Sequence, residues 1–332
     1  MPDNYAYINA RVRAMHSKLI TEKLEETINA SSYGEFLRIL SESNLGADIG
    51  EATAAGAGLP QLDAALSRNF FSTAQKVVGM ADGSSGRDIA LLFARYDLLN
   101  LKAVARGKIG GRSAADVIPS LLPAGSLKPS VLEALANAPE LNSLAGVAGL
   151  AATPLASAFR KGVAQLAADS DLLTFEVALD QAYYSTALSE ASSSVLKDYL
   201  RREIDGANIL TALKLKAQGR TENLEPYFIS GGREVDKARF DQLASGSGGL
   251  EGLRAFSGLS DAADLSSAET LVRGVLLSNA KRLYASDALG IGVVIGFLKD
   301  KEREVAVTRL IGRAKYYNVP LETLRKEVGN GN

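Results

Sequence analysis

Residues Leu92–Arg112 read LFARYDLLNLKAVARGKIGGR. The pattern returns at Leu200–Arg220, LRREIDGANILTALKLKAQGR, and again at Leu298–Asn318, LKDKEREVAVTRLIGRAKYYN. The first two stretches align without gaps, and the third aligns with them from Lys299, one residue in. One matching place holds an acid in each: Asp97, Asp205 and Glu304. Three positions later stand Asn100, Asn208 and Val307. Each copy ends basic, with Arg106, Lys108 and Arg112, then Lys214, Lys216 and Arg220, then Arg309, Arg313 and Lys315. In the second copy Leu200, Ile204, Ala207, Leu210, Leu213 and Ala217 follow steps of three and four, which put them on one helix face. Leu92, Tyr96, Leu99 and Val104 make a similar stripe in the first. Strand signals, meaning alternating β-branched runs, are weak everywhere. The repeat therefore predicts three long helices in an all-α fold.

Further helical stretches precede the copies: Leu62–Phe71 (LDAALSRNFF), Val177–Tyr184 (VALDQAYY) and Leu271–Asn279 (LVRGVLLSN). The first two share a leucine followed by two aromatics, at Leu66/Phe70/Phe71 and Leu179/Tyr183/Tyr184. The unit is thus a helix pair or more with a period of about 100 residues, against roughly 20–50 for solenoid repeats. That period predicts three similar helical domains, at 1–112, 113–220 and 221–332. The alternative function is a helical-repeat scaffold of another multiprotein complex. Breakers mark expected interruptions: a Gly/Ala loop over Gly46–Pro60, a turn cluster over Met80–Asp88 and another at Ser245–Gly249. Leu141–Phe159 is uncharged and rich in Ala, Gly and Ser, which predicts a buried or loop segment. The longest strictly apolar run, Ala288–Leu298, falls short of the roughly 20 residues a bilayer demands, so no transmembrane segment is expected. The opening stretch MPDNYAYINARVRAMHSK carries charge throughout and does not read as a signal peptide.

The chain has 332 residues, 46% hydrophobic and 23% charged, with a formal net charge of −1. It has the composition to build cores. No basic excess exists to hold nucleic acid by counterion release, and 6% aromatics without Trp make a poor base-stacking platform. Cysteine is absent, which removes disulfides, thiol chemistry and Cys-ligated metals. No phosphate-binding G-x-x-x-x-G-K-[ST] occurs; Gly79–Arg87 (GMADGSSGR) is Gly-rich but lacks the lysine. His16 is the one histidine and has no nucleophile-elbow motif beside it. Catalytic, cofactor-binding and metal-ligating residues are therefore not expected. The acids and asparagines sit at i and i+3, on a shared helix face. A catalytic site seldom comes in triplicate on one chain. Asp97, Asn100, Asp205, Asn208 and Glu304 are instead expected to be structural polar pairs that fix a neighbouring helix or loop, because buried polar groups need partners. The basic ends complement the negative end of each helix dipole.

At these residues the chain resembles the C-subunit family of archaeal/vacuolar-type (A/V-type) ATP synthases, counterpart of the d subunit of the eukaryotic V-ATPase. The resemblance runs through Tyr5–Met15, Gly34–Ser43, Arg95–Lys108, Phe175–Tyr184, Asp198–Gly219, Gly231–Phe240 and Leu289–Tyr317. It covers nearly the whole chain and is greatest for members from Thermus–Deinococcus type bacteria. One departure stands at Val307-Thr308-Arg309, where the family usually has Asn-Leu-Arg; the third helix is expected to lack one polar contact. The resemblance implies a funnel of three similar helical domains around a pseudo-threefold axis, with no catalytic residues and no cofactor. It implies a rotor piece at the cytoplasmic face of the membrane. One side would sit on the proteolipid ring, the other would receive the central shaft of the D and F subunits, and torque would pass between them.

Overall fold

The computed structural model describes residues 3–54 and 56–330. Among them the regular structure is all helical, with no β-strand. The N-terminal part contains α1 (Tyr5–His16), α2 (Leu24–Asn29), α3 (Tyr33–Ser41), α4 (Gly46–Ala54) and α5 (Leu59–Met80). Their ends follow local chemistry. The Ser32 side chain accepts from the Glu35 N–H at the start of α3, satisfying an otherwise orphan donor. Pro60 stands in the first turn of α5, where its missing N–H costs nothing. The expected loop over Gly46–Pro60 is largely a helix instead. Ile49 and Ala52, three apart, are buried where α4 packs on α5. That burial outweighs the helix penalty of about 1 kcal/mol per glycine. Ala55, within the same stretch, lies outside the described residues.

A second correction concerns Met80–Asp88. The helix α6 (Gly83–Ile109) starts inside it, and only Ala81 and Asp82 leave helical form. Ser85 and Asp88 are buried there, and both are hydrogen-bonded to other segments. After α7 (Ala114–Val117) and α8 (Pro129–Asn137), Leu141–Phe159 is mostly short turns that run into α9 (Ala156–Asp169). Leu144, Leu150, Leu155 and Phe159 anchor it in the core. Then come α10 (Leu172–Glu190), α11 (Ser194–Ala217), α12 (Lys237–Ser245), α13 (Leu265–Ser286), α14 (Gly292–Tyr316) and α15 (Leu321–Asn330). The Ser245–Gly249 turn ends α12 through Gly246, whose φ of 73° suits a residue without Cβ.

The three repeated stretches fall in α6, α11 and α14. Each has buried residues on all sides rather than along one stripe: Leu91–Ala94 in α6, Glu203–Gly206 in α11 and Gly292–Leu298 in α14 are unbroken buried runs. Helices buried all round occupy the middle of a structure. Fully buried side chains there, such as Tyr96, Tyr199 and Phe297, each contribute about 1.5–3 kcal/mol of hydrophobic stabilisation. The packing partners follow an order. α6 packs on α10, α11 on α13, and α14 on both α13 and α5. The end of the chain thus returns to its beginning.

Candidate functional site

Asp97 and Asn100 emerge from α6 towards the segment that follows α7. The Asp97 carboxylate accepts from the Ser126 and Leu127 N–H groups, both at 3.0 Å. The Asn100 amide makes a closed pair with Leu122, donating to its carbonyl and accepting from its N–H at 2.8 Å each. In α11, Asp205 Oδ1 accepts from the N–H groups of Arg233, Glu234 and Val235 at 2.9–3.0 Å. Asn208 pairs with Ile229, donating at 2.8 Å and accepting at 2.9 Å. Both sites therefore fasten a loop that lies downstream in the chain. Both loops pass so close to the carboxylate that only glycine fits: a Cβ on Gly125 would run into Asp97, and one on Gly232 into Asp205. Burial pushes the Asp97 and Asp205 carboxyls above the ordinary range, and the backbone N–H groups offset part of that rise.

Glu304 of α14 is held differently. Its Oε1 accepts from the Ile20 N–H at 2.7 Å and from Asn44 Nδ2 at 3.4 Å. Its Oε2 meets the ammonium of Lys301, which also donates to Asn69 Oδ1 at 2.6 Å. Lys301 is 1% exposed. The partners belong to the start of the chain, not to a downstream loop. Val307 is buried where the other copies place asparagine, and Thr308 Oγ1 beside it is buried without a partner among the described residues. No hydrogen bond or ion pair joins Asp97, Asp205 and Glu304 to one another among the described residues.

The long helices meet elsewhere, at a set of residues that motif reading missed. Arg95 of α6 lies 2.9 Å from Glu203 of α11 and 3.3 Å from Glu302 of α14. Lys299 reaches Glu302 at 3.0 Å and Glu203 at 4.0 Å. The Tyr96 hydroxyl donates to Glu302 at 2.7 Å, and that of Tyr199 to Glu203 at 2.8 Å. Burial raises the Glu302 carboxyl, but Lys299, Arg95 and the Tyr96 hydroxyl outweigh it and hold the group below the ordinary range. Arg95, Glu203 and Glu302 occupy one alignment position, two residues before the repeated acid. The signal was present in the sequence, disguised because the sign of the charge changes between copies.

Tight connections between consecutive helices are also pinned from outside. Asn4 bonds the Met80 carbonyl at 2.8 Å, between α5 and α6. Asp88 accepts from the Ser192 and Ser193 N–H groups at 2.7 and 3.0 Å, between α10 and α11. Asn9 donates to the Ala288 and Gly290 carbonyls at 3.1 and 2.9 Å, between α13 and α14. The basic helix ends find acids on the packing partner: Arg106 meets Glu176, Lys214 meets Glu269 at 3.4 Å, and Arg309 meets Asp63 at 2.9 Å. His16 lies 2.9 Å from Asp300 and packs on the Tyr284 ring. These carboxylates are engaged by backbone N–H groups, guanidinium or ammonium groups, which makes them fasteners.

The surface carries apolar groups without cover. Leu289 is 76% exposed, and Tyr316, Tyr317, Val319 and Leu321 are exposed at the end of the third repeat and just beyond it. Beside Tyr317 lies a groove of about 900 Å³ walled by Leu59, Phe71, Ile118, Pro119 and Leu132. Among the described residues no helix is long and apolar enough to cross a membrane.

Residues 8–327 match the model of a family described as ATP synthase (C/AC39) subunit. The C subunit of the V-type ATP synthase of Deinococcus radiodurans is 42% identical over 329 residues, covering 99% of this chain and 92% of the relative. The corresponding C subunit of Thermus thermophilus is 35% identical over 338 residues, covering 99% of each. The C subunit of the A-type ATP synthase of Methanocaldococcus jannaschii is 26% identical over 342 residues, covering 97% of this chain and 85% of the relative.

Proposed function

This chain belongs to the ATP synthase (C/AC39) subunit family, as a non-catalytic subunit of an A/V-type ATP synthase, and from that premise we propose that it is the rotor piece joining the membrane ring to the central shaft. Ion flow turns the proteolipid ring, this protein turns with it, and the shaft of the D and F subunits turns inside the catalytic head. In the reverse direction, hydrolysis drives ion transport. The protein lies at the cytoplasmic face of the membrane as a peripheral part of the complex.

The observation that carries this reading is the buried network of Arg95, Glu203, Lys299 and Glu302, which ties α6, α11 and α14 to one another. A coupling piece must not yield under torque, and close-packed interiors transmit strain. Three repeated helices locked at one alignment position also support three similar domains about a pseudo-threefold axis, in a funnel. Under this reading the five repeated polar residues, Asp97, Asn100, Asp205, Asn208 and Glu304, fix the register of each long helix against the segment it fastens. The exposed apolar groups near Tyr317 suit burial in an assembly, since patches of this kind mark interaction surfaces.

The test is co-purification. The isolated chain is mixed with the D–F shaft and, separately, with the detergent-solubilised ring. Retention of both partners is expected. Failure to retain either one contradicts the linking role.

A further inference from the structure

A cavity of about 890 Å³ opens between α11, the segment 232–255 and α13. Five arginines line it: Arg202, Arg233, Arg239, Arg254 and Arg282. Two carboxylates share the lining, Glu234 and Asp236, in a chain whose net charge is −1. Even so, five guanidinium groups against two carboxylates leave an excess of three positive charges in the lining. Glu234 already meets Arg202 at 3.6 Å and accepts from the Ala255 N–H at 3.1 Å. Asp236 caps α12, accepting from the Arg239 N–H at 2.8 Å. Arg239 and Arg282 reach only neutral acceptors, the Glu234 carbonyl and Asn279 Oδ1. Among the described residues, the Arg233 and Arg254 side chains have no ion pair or hydrogen bond with the protein. Guanidinium groups gathered in one cavity repel one another unless an anion sits between them.

We propose that this cavity binds a compact, phosphate-bearing anion, held by Arg233, Arg254 and Arg282 with Arg202 and Arg239 behind them. Guanidinium forks match phosphate oxygens two at a time. The arginines converge from three segments on one volume rather than lining up along a groove, which favours a compact multivalent anion over an extended acidic peptide. No aromatic ring lines the cavity and its apolar contribution is limited to Val275 and Ala255 beside glycines, so no base or acyl chain is recognised. The phosphate can come free in solution or on a lipid headgroup.

The test is calorimetric titration of the full-length chain with sodium pyrophosphate, beside flotation with vesicles containing phosphatidic acid. A single saturable site is expected, weakened at least about tenfold, or 1.4 kcal/mol, in Arg233→Gln/Arg254→Gln. Both side chains are exposed and unpaired, so the thermal midpoint of the ligand-free variant should stay at the wild-type value. Arg273→Gln, outside the cavity, should bind as wild type. Flotation that pyrophosphate competes away assigns the phosphate to lipid; pyrophosphate binding without flotation assigns it to solution; either supports the site. Absence of saturable binding overturns the proposal, as does equal affinity in the double variant. So does binding of poly-glutamate in place of pyrophosphate, which would make the cavity a seat for an acidic protein segment.

Discussion

The acids of α6 and α11 hold loops that come later in the chain, whereas the acid of α14 holds the chain's beginning. Among the described residues, Asp97 and Asp205 have no counter-charge beside them; two or three backbone N–H groups surround each instead. Glu304 receives one backbone N–H and is balanced by the buried Lys301. A downstream loop can be threaded round a carboxylate with glycine at the closest approach, and Gly125 and Gly232 do this. The third site is completed instead by Ile20, Asn44 and Asn69 from the N-terminal part. One alignment position thus performs local fastening twice and long-range closure once.

The largest effect should come from Lys301→Met, which strands the Glu304 charge in the core. A loss of about 3–5 kcal/mol is expected, measured by denaturant unfolding. Adding Glu304→Gln should recover part of it, while a loss within about 0.5 kcal/mol for the single variant would erase the distinction between the sites. Next come Gly125→Ala and Gly232→Ala, each expected to cost about 1–3 kcal/mol because the new methyl meets a fixed carboxylate. Asn100→Ala and Asn208→Ala strand one buried N–H and one carbonyl each, for a cost of about 1–3 kcal/mol. Their agreement with each other would sharpen the likeness of the first two sites.

The smallest effects are read in pH. The Asp205 carboxyl is raised in the folded state, so relative to Asp205→Asn the wild type is favoured at low pH. It should lose that advantage as pH rises through the folded value. Glu302 is lowered, so relative to Glu302→Gln the wild type should gain as pH rises from acid and lose as pH falls through the folded value. Opposite slopes in the two stability differences are the expected result; parallel slopes would contradict the assignment of a fastener in one place and an ion network in the other.

Much of this was legible in the residues. The three quoted stretches lie in the long helices α6, α11 and α14, and their acids hydrogen-bond the segments those helices meet. Two breaker clusters misled. Glycines at Gly46, Gly50, Gly83 and Gly86 read as loop, yet Ile49 and Ala52 of α4 pack against α5, and Ser85 and Asp88 of α6 hydrogen-bond Asn4 and Ser192, contacts that local propensity cannot register. The meeting point of the long helices was missed for a different reason. Comparison of repeats rewards identity, whereas Arg95, Glu203 and Glu302 work by complementarity. The closure of Glu304 on Ile20 was beyond any local reading, since it joins opposite ends of the chain.

Under the proposed linking role these fasteners serve rigid coupling, and ATP-driven ion pumping by membranes with and without the protein measures it most directly. Membranes stripped of the chain should still hydrolyse ATP but cease to pump, and adding the purified chain back should restore pumping. Undiminished ATP-driven pumping in its absence would contradict the account.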